Sequence, residues 1–167
     1  MRAVCPGTFD PVTLGHVDIV RRAAAVFDEV IVAVGTNSTK STLFTLEERI
    51  ALCREAVQDL PTVTVAAIDG LLVDFCRDRG AAVVVKGLRF GSDFDYELQM
   101  HHVNHTVGSI ETVLLPAGRE YGTISSTLIR NVASFGGEVS SFLSPQVNDA
   151  LVRRMDERRF GRDDANR

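Results

Sequence analysis

Short apolar runs alternate with helical segments along almost the whole chain, and this alternation constrains the fold more than any other feature. Apolar residues recur every three or four positions between the runs, as at Val17, Val20 and Ala24, which is the spacing of one helix face. Strands that alternate with helices predict a parallel sheet covered on both faces. We therefore predict an α/β fold with a doubly wound five-stranded parallel sheet of order 3-2-1-4-5, and helices at the C-terminal end. The expected strands are Ala3–Cys5, Glu29–Gly35, Val63–Ile68, Ala82–Val85 and Ile110–Leu115.

Capping and stop signals set the expected bounds of the helices. Thr45 and Glu48 have the spacing of a capping box, and Ser144-Pro145 suits the first positions of a last helix. The pair Gly136-Gly137 marks the end of the helix before it. We expect helices over about residues 16–27, 45–60, 71–79, 92–105 and 125–136, and from 144 onward. Residues 1–160 are predicted to form one domain, followed by a charged, disordered tail over 161–167.

Composition narrows the class of protein. The 167 residues are 45% apolar and 24% charged, which is ordinary for a globular domain, and the net charge of −4 argues against a nucleic-acid partner. No run approaches the ~18 apolar residues of a membrane span, and the N-terminus lacks the regions of a signal peptide. We expect a cytoplasmic protein with no membrane partner. Cys5, Cys53 and Cys76 have no metal-ligand spacing, and Cys53 and Cys76, which fall on apolar helical faces, are expected to be small buried hydrophobes.

The N-terminal strand-to-helix junction carries the most specific motif. Gly7–Pro11 reads Gly-Thr-Phe-Asp-Pro, and Thr13–His16 reads Thr-Leu-Gly-His at the predicted start of the first helix. A strand, a tight loop and a helix in this order point backbone N–H groups at an anion. His16 would lie in the first helical turn, where its ring can reach the same anion.

A second polar segment, Lys86–Arg89, follows the fourth predicted strand. In the order 3-2-1-4-5 the first and fourth strands are neighbours, and ligands of such sheets bind beyond their carboxyl ends. The crevice would then hold donors and cations without a nucleophile, namely Thr8, His16, Lys40, Lys86, Arg89 and Ser125–Thr127. That combination suits phosphoryl-type transfer, which depends on positioning and charge neutralisation. A phosphate monoester that attacks, with its second pKa about 6, needs no general base.

These motifs, taken together, resemble bacterial phosphopantetheine adenylyltransferases of the nucleotidyltransferase superfamily. The segments that carry the resemblance are Gly7–Pro11, Thr13–His16, Phe44–Arg49, Gly87–Arg89, Asp93–Glu97 and Ile124–Thr127. The resemblance implies a Rossmann-like fold that joins ATP and 4′-phosphopantetheine into dephospho-coenzyme A and pyrophosphate, with Mg²⁺. It also implies a homohexamer and coenzyme A as a feedback ligand.

The resemblance also assigns roles to individual residues. It implies catalytic roles for Thr8, His16, Lys40 and Arg89. ATP would contact Thr8, Phe9, His16, Gly87, Leu88, Arg89, Glu97, Tyr121, Gly122, Thr123, Ile124, Ser125, Ser126 and Thr127. The second substrate would contact Thr8, Lys40, Leu72, Lys86 and Asn104. Two departures stand out: many members have arginine where this chain has Lys86, and often tryptophan or another aromatic residue near Tyr121.

Two other functions and one other site stay open at this stage. A different small-molecule nucleotidyltransferase, such as a nicotinamide mononucleotide adenylyltransferase, would share the Thr-x-Gly-His element. A regulator that binds a nucleotide or coenzyme A without catalysis would share the crevice. His101, His102 and His105 suggest a metal site, but no third ligand or His-Glu-x-x-His pattern accompanies them, so a helix surface or a subunit contact is favoured and no metal site is predicted.

Overall fold

The computed structural model describes residues 1–36 and 41–165, with side chains described as far as Arg159. The predicted Lys40 contact lies outside the described residues. The strands are β1 (Arg2–Gly7), β2 (Glu29–Gly35), β3 (Val63–Ile68), β4 (Val83–Leu88) and β5 (Glu111–Pro116). The helices are α1 (Leu14–Ala24), α2 (Leu46–Ala56), α3 (Leu72–Asp78), α4 (Gly91–Gly108), α5 (Ser126–Ser134) and α6 (Pro145–Ala165), with a 3₁₀ turn at Ser140–Phe142.

All five strands are parallel and lie in the order β3-β2-β1-β4-β5, which confirms the predicted doubly wound, Rossmann-like α/β sheet. Successive strand residues face opposite sides of the sheet. Cys5, Val32 and Val85 belong to a large apolar cluster on one face, whereas Val4, Ile31 and Val84 belong to a smaller one on the other. Both faces are therefore covered, as continuous apolar strands require.

Pairing between β1 and β4 is short, and this positions the site. β1 pairs with β2 over its full length, from Arg2 to Gly7, but its register with β4 contains only Ala3 with Val83 and Val4 with Val84. Beyond those two pairs the carboxyl halves of β1 and β4 separate. A gap therefore opens in the middle of the sheet at the strand ends, where the topology reverses direction.

Several boundaries differ from the sequence-based expectation. Lys86, Gly87 and Leu88 were predicted to form a loop, but they lie on β4 and pair with Leu114, Leu115 and Pro116 of β5. The prediction failed because the apolar pattern ends at Val85 while hydrogen bonding to β5 continues.

The helices differ at their ends as well. α2 ends at Ala56 rather than Leu60, and α4 continues to Gly108 rather than ending near His105. Helical backbone also reaches Ala165, within the segment 161–167. Disorder of that segment, and the single-domain assignment of 1–160, stay predictions. None of the helices in the described ranges is both long and apolar enough to span a bilayer.

Candidate active site

A cavity of about 210 Å³ lies in the gap between β1 and β4. Its walls come from the ends of both strands, the start of α1 and the segment before α5. Ten of the sequence-predicted residues line it: Phe9, His16, Lys86, Gly87, Arg89, Glu97, Tyr121, Ile124, Ser125 and Ser126. The structure therefore brings the two predicted polar segments together in one cavity.

Other predicted residues do not line this cavity. Thr8, Leu88, Gly122, Thr123 and Thr127 lie next to lining residues in the chain without forming the wall themselves. Leu72 packs against the smaller apolar cluster on the opposite face of the sheet, and Asn104 is buried on α4. The contacts of these two residues with a pantetheine arm stay a prediction.

Gly87 is a packing requirement of the cavity wall. A Cβ at this position would lie 2.9 Å from Cγ1 of Ile19 on α1, which is closer than real contacts allow. Glycine therefore lets α1 approach β4, so that the start of α1 faces the gap between the strands.

His16 is fixed at the start of α1 by a reciprocal cap with Thr13. The backbone N–H of His16 donates to Oγ1 of Thr13 at 3.3 Å, and the N–H of Thr13 donates to Nδ1 of His16 at 3.0 Å. Because Nδ1 accepts, we assign the proton of the neutral ring to Nε2. The ring also packs edge-on against Phe9, with centroids 5.0 Å apart. The cap therefore leaves Nε2–H as the ring's available donor.

The environment keeps the His16 ring neutral. Burial, followed by the positive charge of Arg89, lowers the pKa of His16 to about 4 from the usual value of 6.5. At neutral pH the ring is therefore an uncharged donor that needs no proton from solvent.

This low pKa predicts a loss of stability in acid. Between pH 6.5 and 4 the unfolded chain binds a proton at His16 that the folded chain does not, so the free energy of unfolding falls as the pH is lowered. The contribution reaches roughly 2 kcal/mol at pH 5. We expect the free energy of unfolding of the wild type, taken relative to that of His16→Gln, to fall by that amount from pH 7.5 to pH 5. Urea unfolding of both proteins at the two pH values measures it, and a constant difference would contradict the assigned pKa.

Two ion pairs organise the charged side of the cavity. Nζ of Lys86 lies 3.1 Å from Oε1 of Glu97, and both side chains are largely buried. The guanidinium of Arg89 donates to both carboxylate oxygens of Asp93, at 3.1 and 3.2 Å, and to the backbone oxygen of Ile124 at 3.2 Å. The fork of Arg89 thus connects the chain after β4 with the start of α5.

The N-terminus of α5 closes the cavity on the remaining side. Oγ of Ser125 accepts from the N–H of Leu128 at 3.1 Å as the helix cap, and Oγ of Ser126 donates to the backbone oxygen of Pro11 at 2.8 Å. Ser126 therefore ties this helix to the loop after β1. Free N–H groups at a helix start attract an anion. This wall and the cations of the opposite wall can therefore bind the same anion from two sides.

Sequence reasoning missed two buried charged residues behind the cavity. The carboxylate of Asp10 accepts from the N–H groups of Leu43 and Phe44, at 2.8 and 2.9 Å, and pairs with Arg130 at 3.3 Å. Arg49 donates to three backbone oxygens around the same loop. Asp10 lies in the Gly7–Pro11 motif and Arg49 in the Phe44–Arg49 motif. Their hydrogen-bond partners are 5 to 120 positions away in the chain, and only the folded structure brings them together.

The cavity supplies donors and positive charge without an obvious nucleophile. Cys5 lines it, but burial raises the pKa of this thiol to about 12, so it stays protonated. Among the described residues, no three His, Cys, Asp or Glu side chains lie close enough to hold a metal ion. A neutral histidine donor, two cations and a helix start suit the stabilisation of charge that develops on phosphate oxygens.

Known proteins share both the sequence and the fold. A family model described as cytidylyltransferase-like matches residues 4–132. A phosphopantetheine adenylyltransferase from Cutibacterium acnes is 58% identical over 154 residues, which cover 92% of this chain and 98% of that relative. A second, from a Nocardioides species, is 54% identical over 154 residues, with 92% and 97% covered.

A solved structure supports the fold alone. A bifunctional NMN adenylyltransferase/ADP ribose pyrophosphatase from Francisella tularensis is 17% identical and superposes with a TM-score of 0.69, over 93% of this chain and 49% of that one. The sequence relatives are much closer, and each is matched almost from end to end. The chain therefore belongs to the phosphopantetheine adenylyltransferase family of cytidylyltransferase-like proteins.

Proposed function

We propose that this chain transfers AMP from ATP to 4′-phosphopantetheine and releases dephospho-coenzyme A and pyrophosphate, a step of coenzyme A biosynthesis. The observation that carries the proposal is the single cavity in which His16, Lys86 and Arg89 meet at the ends of β1 and β4. Membership of the family supplies the identity of the two substrates.

The reaction needs stabilisation of the negative charge on two phosphates more than it needs a general base. An oxygen of the acceptor phosphate attacks the α-phosphorus of ATP, the bond from that phosphorus to the bridging oxygen breaks, and its electron pair leaves with pyrophosphate. The attacking phosphate, with its second pKa about 6, is largely dianionic at neutral pH. The protein must therefore hold two anions together and stabilise the charge that grows on the α-phosphate.

The charged and polar residues of the cavity, together with Thr8 and Lys40, have proposed parts in this step. Nε2–H of His16 donates to the α-phosphate, assisted by the hydroxyl of Thr8 beside the cavity. Lys86 binds the acceptor phosphate, and Lys40 bridges the acceptor and ATP phosphates. Arg89 and the start of α5 bind the phosphates of ATP, and Glu97 contacts polar groups of the nucleotide.

We propose that Mg²⁺ arrives with ATP as part of the substrate. Mg²⁺ prefers oxygen ligands and is often held mainly by substrate phosphates with one or two carboxylates. Among the described residues that line this cavity, Glu97 is the one carboxylate, and it is already paired with Lys86. The donor set therefore fits a metal carried by the nucleotide better than one held by a protein cage.

A panel of acceptors tests the function. Purified protein with MgATP is supplied in parallel with 4′-phosphopantetheine, unphosphorylated pantetheine or nicotinamide mononucleotide, and pyrophosphate release is followed. We expect release with 4′-phosphopantetheine alone. Release with nicotinamide mononucleotide instead would reassign the substrate, and nucleotide binding without turnover would indicate a regulator.

Glu97→Gln is expected to strengthen binding of the acceptor. In the ligand-free cavity Glu97 competes with the acceptor phosphate for Lys86, and glutamine removes that competing charge while it keeps polar groups for the nucleotide. A partly buried pair of this kind is worth about 1 kcal/mol, so the KM for 4′-phosphopantetheine should fall by roughly three- to fivefold.

Steady-state kinetics with the acceptor varied at saturating ATP measures this effect. The matched control is Glu47→Gln on the exposed surface of α2, which should leave both KM values unchanged. A higher KM for the acceptor in Glu97→Gln would show that Glu97 holds Lys86 in its binding position instead.

We also propose that the chain assembles as a homohexamer and that coenzyme A acts on it as a feedback ligand. Exposed apolar side chains on α4 support a subunit contact there, namely Phe94, Tyr96, Val103 and Val107. Sedimentation velocity would measure the mass of the assembly, and titration with coenzyme A in the kinetic assay would measure inhibition. The cytoplasmic location expected from the sequence stays a prediction.

A further inference from the structure

Arg49 is a buried charge whose hydrogen bonds, within residues 1–36 and 41–159, all go to backbone oxygens. It lies on α2 with 3% of its surface exposed. One terminal nitrogen donates to the carbonyl of Thr8 at 2.7 Å and to that of Gly35 at 2.9 Å, and Nε donates to the carbonyl of Phe44 at 3.3 Å. Within residues 1–36 and 41–159, no carboxylate forms an ion pair with it. Burial of an arginine without such a partner costs desolvation free energy, which the hydrogen bonds to the three carbonyls must offset. These hydrogen bonds therefore hold the side chain and the three backbone segments in one arrangement.

The three carbonyls belong to segments that meet behind the cavity. Gly35 ends β2, and Thr8 follows the last residue of β1. Phe9 lines the cavity, whereas neither Arg49 nor Thr8 does. Arg49 therefore contacts the loop after β1 from the side away from the cavity.

The geometry of one peptide bond links this contact to the cavity. In a trans peptide the carbonyl oxygen and the next N–H point in opposite directions, so the carbonyl of Thr8 that faces Arg49 sends the N–H of Phe9 the other way. That N–H has no acceptor among the described residues. Phe9 also has a φ of 50°, in the left-handed region, and its ring covers Gly7, where a Cβ would lie 2.9 Å from ring atoms. An unusual backbone of this kind persists only when its surroundings hold it.

We propose that Arg49 is a positioning residue, which locks the Thr8–Phe9 peptide so that the N–H of Phe9 donates to a phosphate of the bound nucleotide. The proposal rests on the proposed function, because it takes ATP as the ligand of the cavity. Arg49 touches no substrate and acts through Phe9. Its positive charge also strengthens the peptide dipole that it holds, since a charged donor on the carbonyl polarises the N–H at the other end.

Arg49→Lys separates this role from simple packing. Lysine keeps the charge but lacks the planar fork that reaches several carbonyls at once. The loss of one well-aimed hydrogen bond to a charged group corresponds to a roughly tenfold weaker affinity for ATP. Adenosine has no phosphate, so its affinity should change less than twofold. Arg49→Met, which removes the charge as well, should weaken ATP binding further and again spare adenosine.

Two control variants complete the experiment. Arg54→Lys changes an exposed arginine on the same helix and should leave both affinities unchanged. Val57→Ala removes buried apolar volume next to α2 and destabilises the fold without touching the loop after β1. Thermal unfolding of each variant shows how much stability it has lost, and calorimetric titration with ATP and with adenosine gives the affinities.

A selective loss of ATP affinity in Arg49→Lys that Val57→Ala does not reproduce would support the proposal. Equal losses for ATP and adenosine, or losses that follow unfolding temperature in all variants, would overturn it in favour of a packing role. Unchanged ATP affinity in a folded Arg49→Lys would also overturn it. Failure of the wild type itself to bind ATP would instead refute the proposed function.

Discussion

Replacing His16 with glutamine is expected to lower kcat by roughly 10²–10³, the usual effect of removing one donor that stabilises a developing oxyanion. Glutamine at this position preserves the cap, because its side-chain oxygen can accept from the N–H of Thr13 as Nδ1 of His16 does. It does not reproduce the ring donor Nε2–H on the cavity side. The rate should therefore fall while the helix start and the fold remain intact.

The division between kcat and ATP binding identifies the role of His16. If the ring interacts more strongly with the transition state than with bound ATP, the affinity for ATP changes little while kcat falls. Single-turnover kinetics and ATP titration of His16→Gln measure the two quantities. His102→Gln, on the exposed surface of α4, is the matched control and should behave as the wild type. An equal loss of affinity and rate would mean that His16 only binds ATP.

Asp10→Asn is expected to cost roughly 2–4 kcal/mol of the free energy of unfolding, because it leaves a buried donor without an acceptor and removes the carboxylate that a half-buried arginine pairs with. The two oxygens of Asp10 accept from two separate N–H groups, those of Leu43 and Phe44. Asparagine has nearly the same shape but only one acceptor oxygen, so its NH₂ group would face one of those donors. Arg130 would lose its carboxylate as well.

Urea unfolding of Asp10→Asn measures this loss directly. The control is Asp59→Asn, which breaks an exposed, solvent-screened ion pair with Arg21 and should leave the stability almost unchanged. Because Asp10 anchors the loop that carries Thr8 and Phe9, activity at a temperature where the variant is folded should also decline. A loss no larger than that of Asp59→Asn would show that the buried network contributes little to stability.

The sequence predicted the sheet well because apolar strand runs have a strong local signature. Each of the five runs became a strand, and the order 3-2-1-4-5, which was predicted as that of a doubly wound fold, is the one observed. Lys86 shows the limit of that signature. Its polar side chain indicates the end of a strand, yet its backbone pairs with Leu114 of β5. The backbone hydrogen bonds depend on the neighbouring strand rather than on the side chain.

Site residues could be predicted from the sequence where the same short motif also determines the local backbone structure. The position of His16 at a helix start follows from the residues around it, and the structure confirms it. The position of the proton on its ring could not be predicted from the sequence, because it depends on a hydrogen bond from the N–H of Thr13. Asp10 and Arg49 could not be assigned from sequence, because their partners come from distant segments that only the folded sheet brings near.

The separation of β1 from β4 after two residue pairs has a consequence for how this protein can change. The gap between the strands is set by the main chain, so replacing a polar side chain in its wall changes the charge of the cavity and leaves the strand separation in place. Directed evolution toward other phosphorylated acceptors should therefore succeed by changes at wall positions such as Lys86 and Tyr121, with the scaffold left as it is.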